Sequence, residues 1–260
     1  MAYENIRYDT RDAIAYVTLD RPKVMNALNR TTLAELDATF AKISVDNSIR
    51  VVLLTGSGEK AFAAGADIQE LASLSASEGQ ALAQAGQRIF DHIENCGKPV
   101  IACVNGFALG GGCELALACT MRIGSENAKL GQPEVKLGLI PGYGGTQRLP
   151  RLVGKSAALK LLLTGDMISA ADALRIGLLD EVVPQDQLLP RAEQLAKSIA
   201  GVAPVAAQKC LAAVRDGYEL PLAQALELEA SLFGFCCGTE DKAEGTRAFL
   251  EKRQANWQGK

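Results

Sequence analysis

Three consecutive glycines, Gly110-Gly111-Gly112, separate a short β-branched run, Val100–Val104, from a small-residue, helix-compatible segment, Glu114–Cys119. A strand that enters a helix this way leaves the first N–H groups of the helix without intrahelical partners. They carry the positive end of the helix dipole, and glycine removes the Cβ that would keep a ligand at a distance. Asn105–Glu114 therefore reads as a strand-to-helix turn able to hold an oxyanion. A second bare turn, Lys60–Ile68, follows the apolar run Val51–Leu54 and precedes helical patterns over Gln69–Leu74 and Ser77–Asn95. Strand, glycine turn and helix thus occur twice in order, and continuous apolar strands between helices are the mark of an α/β fold whose sheet is covered on both faces.

The rest of the chain extends this pattern. Ile6–Tyr8 and Ala13–Leu19 read as an antiparallel pair, and Thr32 with Glu35 as a capping box opening a helix with apolar face Leu33, Leu36, Phe40 and Ile43. Met121–Gly124 and Lys129–Gly138 are strand candidates, the second made irregular by Pro133 and carrying Glu134. A third glycine-rich turn, Leu139–Thr146, leads into a helix from Gln147 with a break expected at Pro150. Beyond Pro184 the patterns are helical, which divides the chain into a core over 1–184 and a helical region over 185–260.

Several function classes are disfavoured. Twenty-seven basic against thirty acidic residues, a net charge of −3, leave no electrostatic footprint for nucleic acid. No apolar run is long enough to span a membrane, and Met1–Asn5 has neither a basic start nor an apolar core, so no signal peptide is expected. Seven cysteines in mostly apolar surroundings suggest reduced thiols and a cytoplasmic location. Metal-ligand spacing is absent, and the single histidine, His92, lies in an amphipathic helical pattern as a structural residue. Gly154-Lys155-Ser156 lacks the glycine of a phosphate loop at Leu149, Gly142-Tyr143-Gly144 meets Gln147 where a dinucleotide fingerprint needs glycine, and no Gly-x-Ser-x-Gly elbow occurs.

Lys60–Ile68, Asn105–Ala116 and Gly131–Arg148, in this order, resemble the signature stretches of the enoyl-CoA hydratase, or crotonase, family. The resemblance covers essentially the whole chain. It implies a crotonase-type spiral of ββα units with a helical C-terminal trimerisation region, assembled as a trimer or a dimer of trimers. It also implies an acyl-CoA thioester substrate, neither metal nor redox cofactor, no nucleic-acid or membrane partner, and a place in fatty-acid or short-chain acyl-CoA metabolism such as β-oxidation. Carried over by position, the catalytic carboxylates fall on Glu114 and Glu134, and the oxyanion-hole N–H groups on Ala64 and Gly111. Substrate contacts fall on Ala64, Gly65, Ala66, Asp67, Ile68 and Gly142. The CoA-binding segment falls on Lys23 and Val24, with Phe249 and Lys252 reaching CoA from a neighbouring subunit.

The residue types suit hydration of a 2-enoyl thioester. Negative charge develops on the thioester oxygen, which two N–H donors stabilise, while one carboxyl group activates water and another protonates the α carbon. The helix dipole is expected to favour ionised Glu114, and the apolar neighbours Val135, Leu137 and Leu139 to favour protonated Glu134, which would split their pKa values. Asp67 has an equally good reading as a helix cap. Double-bond isomerisation and acyl-CoA binding without turnover are the alternatives; retention of both glutamates weighs against the first.

Overall fold

The apolar runs become the middle of a sheet, as strands without a solvent-facing side must. The computed structural model describes residues 3–260, so Met1 and Ala2 of the N-terminal stretch lie outside it. In chain order the elements are β1 (Ile6–Arg11), β2 (Ile14–Leu19), α1 (Arg30–Val45), β3 (Val51–Gly56), β4 (Ala61–Ala63), α2 (Ile68–Leu71), α3 (Ala76–Glu94), β5 (Val100–Val104), β6 (Phe107–Leu109) and α4 (Gly111–Leu117). There follow β7 (Met121–Ser125), β8 (Lys129–Gly131), α5 (Gly145–Val153), α6 (Lys155–Thr164), β9 (Met167–Ser169), α7 (Ala170–Arg175) and β10 (Glu181–Val183). The last helices are α8 (Leu188–Ala200), α9 (Pro204–Gly217), α10 (Leu222–Cys237) and α11 (Glu240–Leu250).

One six-stranded sheet has the order β1-β2-β3-β5-β7-β10 and a four-stranded sheet the order β4-β6-β8-β9. Starting from β3, β5 and β7, the chain each time lays a strand in the large sheet, a short strand in the small one, and then helix. This recurrence is the spiral of ββα units. Pairing is parallel except at β1–β2 and β8–β9. The three-residue strands β4, β6 and β9 have no signature in the sequence, because so short a run has no measurable period.

Alternation along the large sheet assigns its two faces. Ile14, Val51, Leu53, Ile101, Cys103 and Ile123 face α8, which supplies Leu188, Ala192 and Ala196. Ala15, Val17, Val52, Leu54, Ala102 and Val104 face the main core with Leu36, Phe40 and Phe90 from α1 and α3. Each fully buried Leu, Ile or Phe contributes about 1.5–3 kcal/mol relative to exposure. Beyond β10 the described residues form helices alone, of which α8 covers the sheet and belongs to the core. There α9 and α10 pack on each other, while α10 buries no residue in the single chain. No helix among the described residues is long and apolar enough to cross a membrane.

Local differences from expectation have identifiable causes. Asn29, not Thr32, caps α1: its side chain accepts from Thr32 N, and Glu35 instead accepts from the N–H groups of Glu4 and Asn5. Asp67 caps α2 by accepting from Gln69 N. Glu134 lies on a 3-10 helix, Pro133–Leu137, rather than an irregular strand, since Pro133 suits the first turn of a helix and cannot donate to a sheet. The helix α5 runs through Pro150 without a break, giving up the one bond that proline cannot donate.

Candidate active site

The glycine turn between β6 and α4 has a conformation closed to other residues. Gly110 adopts φ 51° and ψ −125°, and its N–H donates to Gly131 O, which ties the turn to β8. A Cβ built on Gly110 would stand 2.6 Å from Glu134 Oε1, so the Glu134 carboxylate lies directly against the glycine backbone. Gly111 opens α4, and among the described residues its N–H has no acceptor. The turn is therefore both a donor and a wall of the site.

Glu114, only 2% exposed, sits in the first turns of the same helix. Its Oε1 accepts from Tyr143 N at 2.8 Å and from Gly145 N at 2.7 Å, both from the third glycine-rich turn. Burial pushes its pKa up to about 7; the two N–H donors oppose this and the nearby Glu134 charge adds to it. The dipole argument for a low Glu114 pKa is thus overturned, because loss of solvent outweighs the helix terminus at a fully buried carboxyl. Glu134, half-buried, is also raised, by burial. Both groups move in the same direction, although opposite directions were expected. The fully buried Gln132, with its amide nitrogen turned toward Glu134, donates to that carboxylate at 3.2 and 3.3 Å.

The second turn corrects one assignment. Ala64 N–H donates to Met25 O at 3.0 Å and Asp67 N–H to Leu28 O at 2.9 Å, while Leu28 N–H donates to Gly65 O. These bonds strap the 25–28 loop to the turn and occupy Ala64, which therefore does not serve as the free donor expected from the sequence. Ala66 N–H has no acceptor among the described residues, and its nitrogen is 3.4 Å from where a Gly111 Cβ would stand. The two unpartnered donors that meet are Ala66 and Gly111. Gly65, at φ 98° between Ala64 and Ala66, turns the backbone so that their two amides face different surroundings, which no local pattern in the sequence reveals.

The remaining sequence candidates divide. Lys23 and Val24, on the 3-10 helix Pro22–Val24, are exposed on the strapped loop beside the donor turn, and Ile68 is exposed just after it. Asp67 is engaged structurally, capping α2 and pairing with Arg21 at 3.3 Å. The Gly142 carbonyl accepts from Gln87 Nε2, and the residue belongs to the turn that serves Glu114. Phe249, 83% exposed, and Lys252 lie at the end of α11, which packs on α10; no hydrogen bond or ion pair joins them to the glutamates within one chain. His92 pairs with Asp37 at the surface, and no cluster of metal-ligating side chains occurs among the described residues. Gln132, Tyr143 and Gly145 escaped the sequence reading. The third glycine turn was visible there, but nothing local said that its N–H groups point at Glu114.

A wide cleft of about 1130 Å³ between α3, α4, α5 and α9 is lined by neither Glu114 nor Glu134. The chemistry is better placed at the carboxylate pair, where paired donors and raised acids converge in a buried setting.

The chain resembles known proteins over essentially its whole length. The family model described as enoyl-CoA hydratase/isomerase matches residues 9–260. The chain is 48% identical to the crotonyl-CoA hydratase of Syntrophomonas wolfei over 257 residues, 99% of each chain. It is 46% identical to the short-chain-enoyl-CoA hydratase of Clostridium acetobutylicum, covering 98% of this chain and 97% of that one. The crystal structure of an enoyl-CoA hydratase from Bacillus anthracis superposes with a TM-score of 0.96 at 39% identity, over 99% of this chain and 100% of that one.

Proposed function

The chain belongs to the enoyl-CoA hydratase/isomerase family, and from that premise we propose that it is an enoyl-CoA hydratase acting on short-chain trans-2-enoyl-CoA. The reaction is reversible syn addition of water to give the 3-hydroxyacyl-CoA. The observation that carries it is the pair of raised carboxyl groups, Glu114 and Glu134, beside two convergent free N–H groups, Ala66 and Gly111.

The thioester oxygen accepts from Ala66 and Gly111 N–H, so the charge that develops there meets preorganised donors. The carboxylate that is ionised takes a proton from water as the water oxygen bonds to C3, and the carboxyl that is protonated delivers its proton to C2. With both pKa values raised and the two charges coupled, the pair holds one proton near neutrality more readily than two isolated glutamates would, which suits a step needing one acid and one base. The roles of base and acid are shared within the pair. No step calls for a metal or a redox cofactor.

Assembly as a trimer or hexamer is supported by the apolar surface of α10, where Leu222 and Phe233 are 73% and 70% exposed. In that assembly Phe249 and Lys252 reach CoA bound to a neighbouring subunit, with Lys23 and Val24 meeting it from the same chain as the glutamates. The seven free cysteines fit a cytoplasmic site of action in short-chain acyl-CoA metabolism or β-oxidation.

The test is loss of the conjugated enoyl-thioester absorbance when purified protein is mixed with crotonyl-CoA. Glu114→Gln and Glu134→Gln should each remove most turnover and leave acyl-CoA binding largely intact. Binding without any turnover in the parent protein would replace this reading by that of an acyl-CoA-binding subunit.

A further inference from the structure

The N–H donors that meet Glu114 belong to a turn held from outside the site. Arg148, on α5 and with its side chain 15% exposed, donates from Nη1 to Tyr143 O at 3.0 Å. Its Nε donates to Glu94 Oε2 at 2.9 Å and its Nη2 to Asp91 Oδ1 at 2.5 Å, both on the last turns of α3. The guanidinium also fixes the backbone between the two donors: Gly144 has φ 109°, and a Cβ there would come within 2.3 Å of Nη1. The two peptide groups that flank the Tyr143 Cα are thereby both held, one through its N–H on Glu114 and the other through its C=O on Arg148.

We propose that Arg148, anchored by Asp91 and Glu94, is a positioning residue for the hydration step: it clamps the 142–145 turn in the one conformation that aims the Tyr143 and Gly145 N–H groups at Glu114 Oε1. The inference rests on the hydratase reading for its catalytic consequence only. A planar, fixed fork suits the role, because it reaches a carbonyl and two carboxylates at once without rotating. The charged and titratable groups facing Glu114 are Glu134 from the 3-10 helix, Arg148 from α5, Tyr143 from the turn and Cys113 on its own helix. Of these, Arg148 alone is a cation, and its charge favours ionised Glu114. Releasing the clamp weakens two donors and removes the cation, and both changes raise the pKa of Glu114.

The test compares R148M, D91N/E94Q and, as a surface control, R151M, an exposed arginine of the same helix paired with Glu219. Crotonyl-CoA turnover is followed as a function of pH, together with hydrogen exchange of the peptide spanning 141–147, which needs no activity. R148M is expected to lower kcat about tenfold or more while changing KM less than about threefold, because the group moved acts on the chemical step. The limb of the pH profile governed by Glu114 moves to higher pH, exchange over 141–147 quickens, and R151M does neither. Folded R148M with parental exchange, kcat and pH profile overturns the proposal. Should R148M fail to fold, D91N/E94Q decides by the same readings, since it keeps the guanidinium but strips the charge from both of its anchors. If the parent itself has no turnover, the hydratase reading fails and the exchange rates alone uphold or overturn the clamp.

Discussion

Glu114→Gln should make the protein more stable in base while making it inactive. The carboxyl is buried and its pKa stands at about 7 instead of its ordinary 4.5. A raised folded-state value means that the folded chain holds the proton more tightly than the unfolded one, so this stability is fully present below about pH 4.5 and is lost as pH rises through about 7. Each pKa unit corresponds to about 1.4 kcal/mol, which puts the cost of ionised Glu114 at roughly 3 kcal/mol above pH 8. The amide removes that cost, and its oxygen still accepts from Tyr143 and Gly145 N–H, the bonds that Glu114 Oε1 makes. For a chain of this size 3 kcal/mol amounts to roughly 6–12 °C in Tm. The assay is thermal unfolding of parent and variant at pH 5 and pH 8.5 at equal protein concentration. The variant should gain several degrees over the parent at the higher pH and little at the lower. An equal difference at both pH values would refute the claim that desolvation raises Glu114, and with it the account of how the pair keeps a proton near neutrality.

Gly110→Ala places a methyl at φ 51° within 2.6 Å of Glu134 Oε1; strain of about 1–3 kcal/mol and a loss of kcat of roughly 100-fold are expected, read by unfolding and crotonyl-CoA turnover. Asp67→Ala removes the α2 cap and the Arg21 partner, so stability should fall by about 0.5–2 kcal/mol with modest kinetic change, whereas a raised KM at unchanged stability would mean direct substrate contact. Leu226→Glu combined with Phe233→Glu puts charge on the exposed face of α10, and sedimentation should report dissociation to single chains if that face joins subunits.

Much of the fold was legible along the chain because its causes are local. Apolar runs such as Val51–Leu54 and Val100–Val104, short and flanked by turn residues, read as strands hidden on both faces, and Gly110–Gly112 as a strand-to-helix junction in which backbone is laid bare. The two glutamates were singled out through the family resemblance, and Glu114 also by its place just after that turn; that Glu134 lies against Gly110 is a tertiary fact. By itself, then, the sequence determined the strand, glycine turn and helix order and the helical C-terminal region, and through the resemblance it singled out Glu114 and Glu134 as the candidate carboxyl pair. Tertiary structure decided which amides remain free and which protons are held. Ala64 is closed by Met25 and Ala66 left open, Glu114 is raised by burial against its helix dipole, and its donors come from a turn clamped by Arg148 some thirty residues further along. The physical reason is common to all three: hydrogen-bond satisfaction and desolvation depend on the segments that fold over a residue, and those segments are distant in sequence.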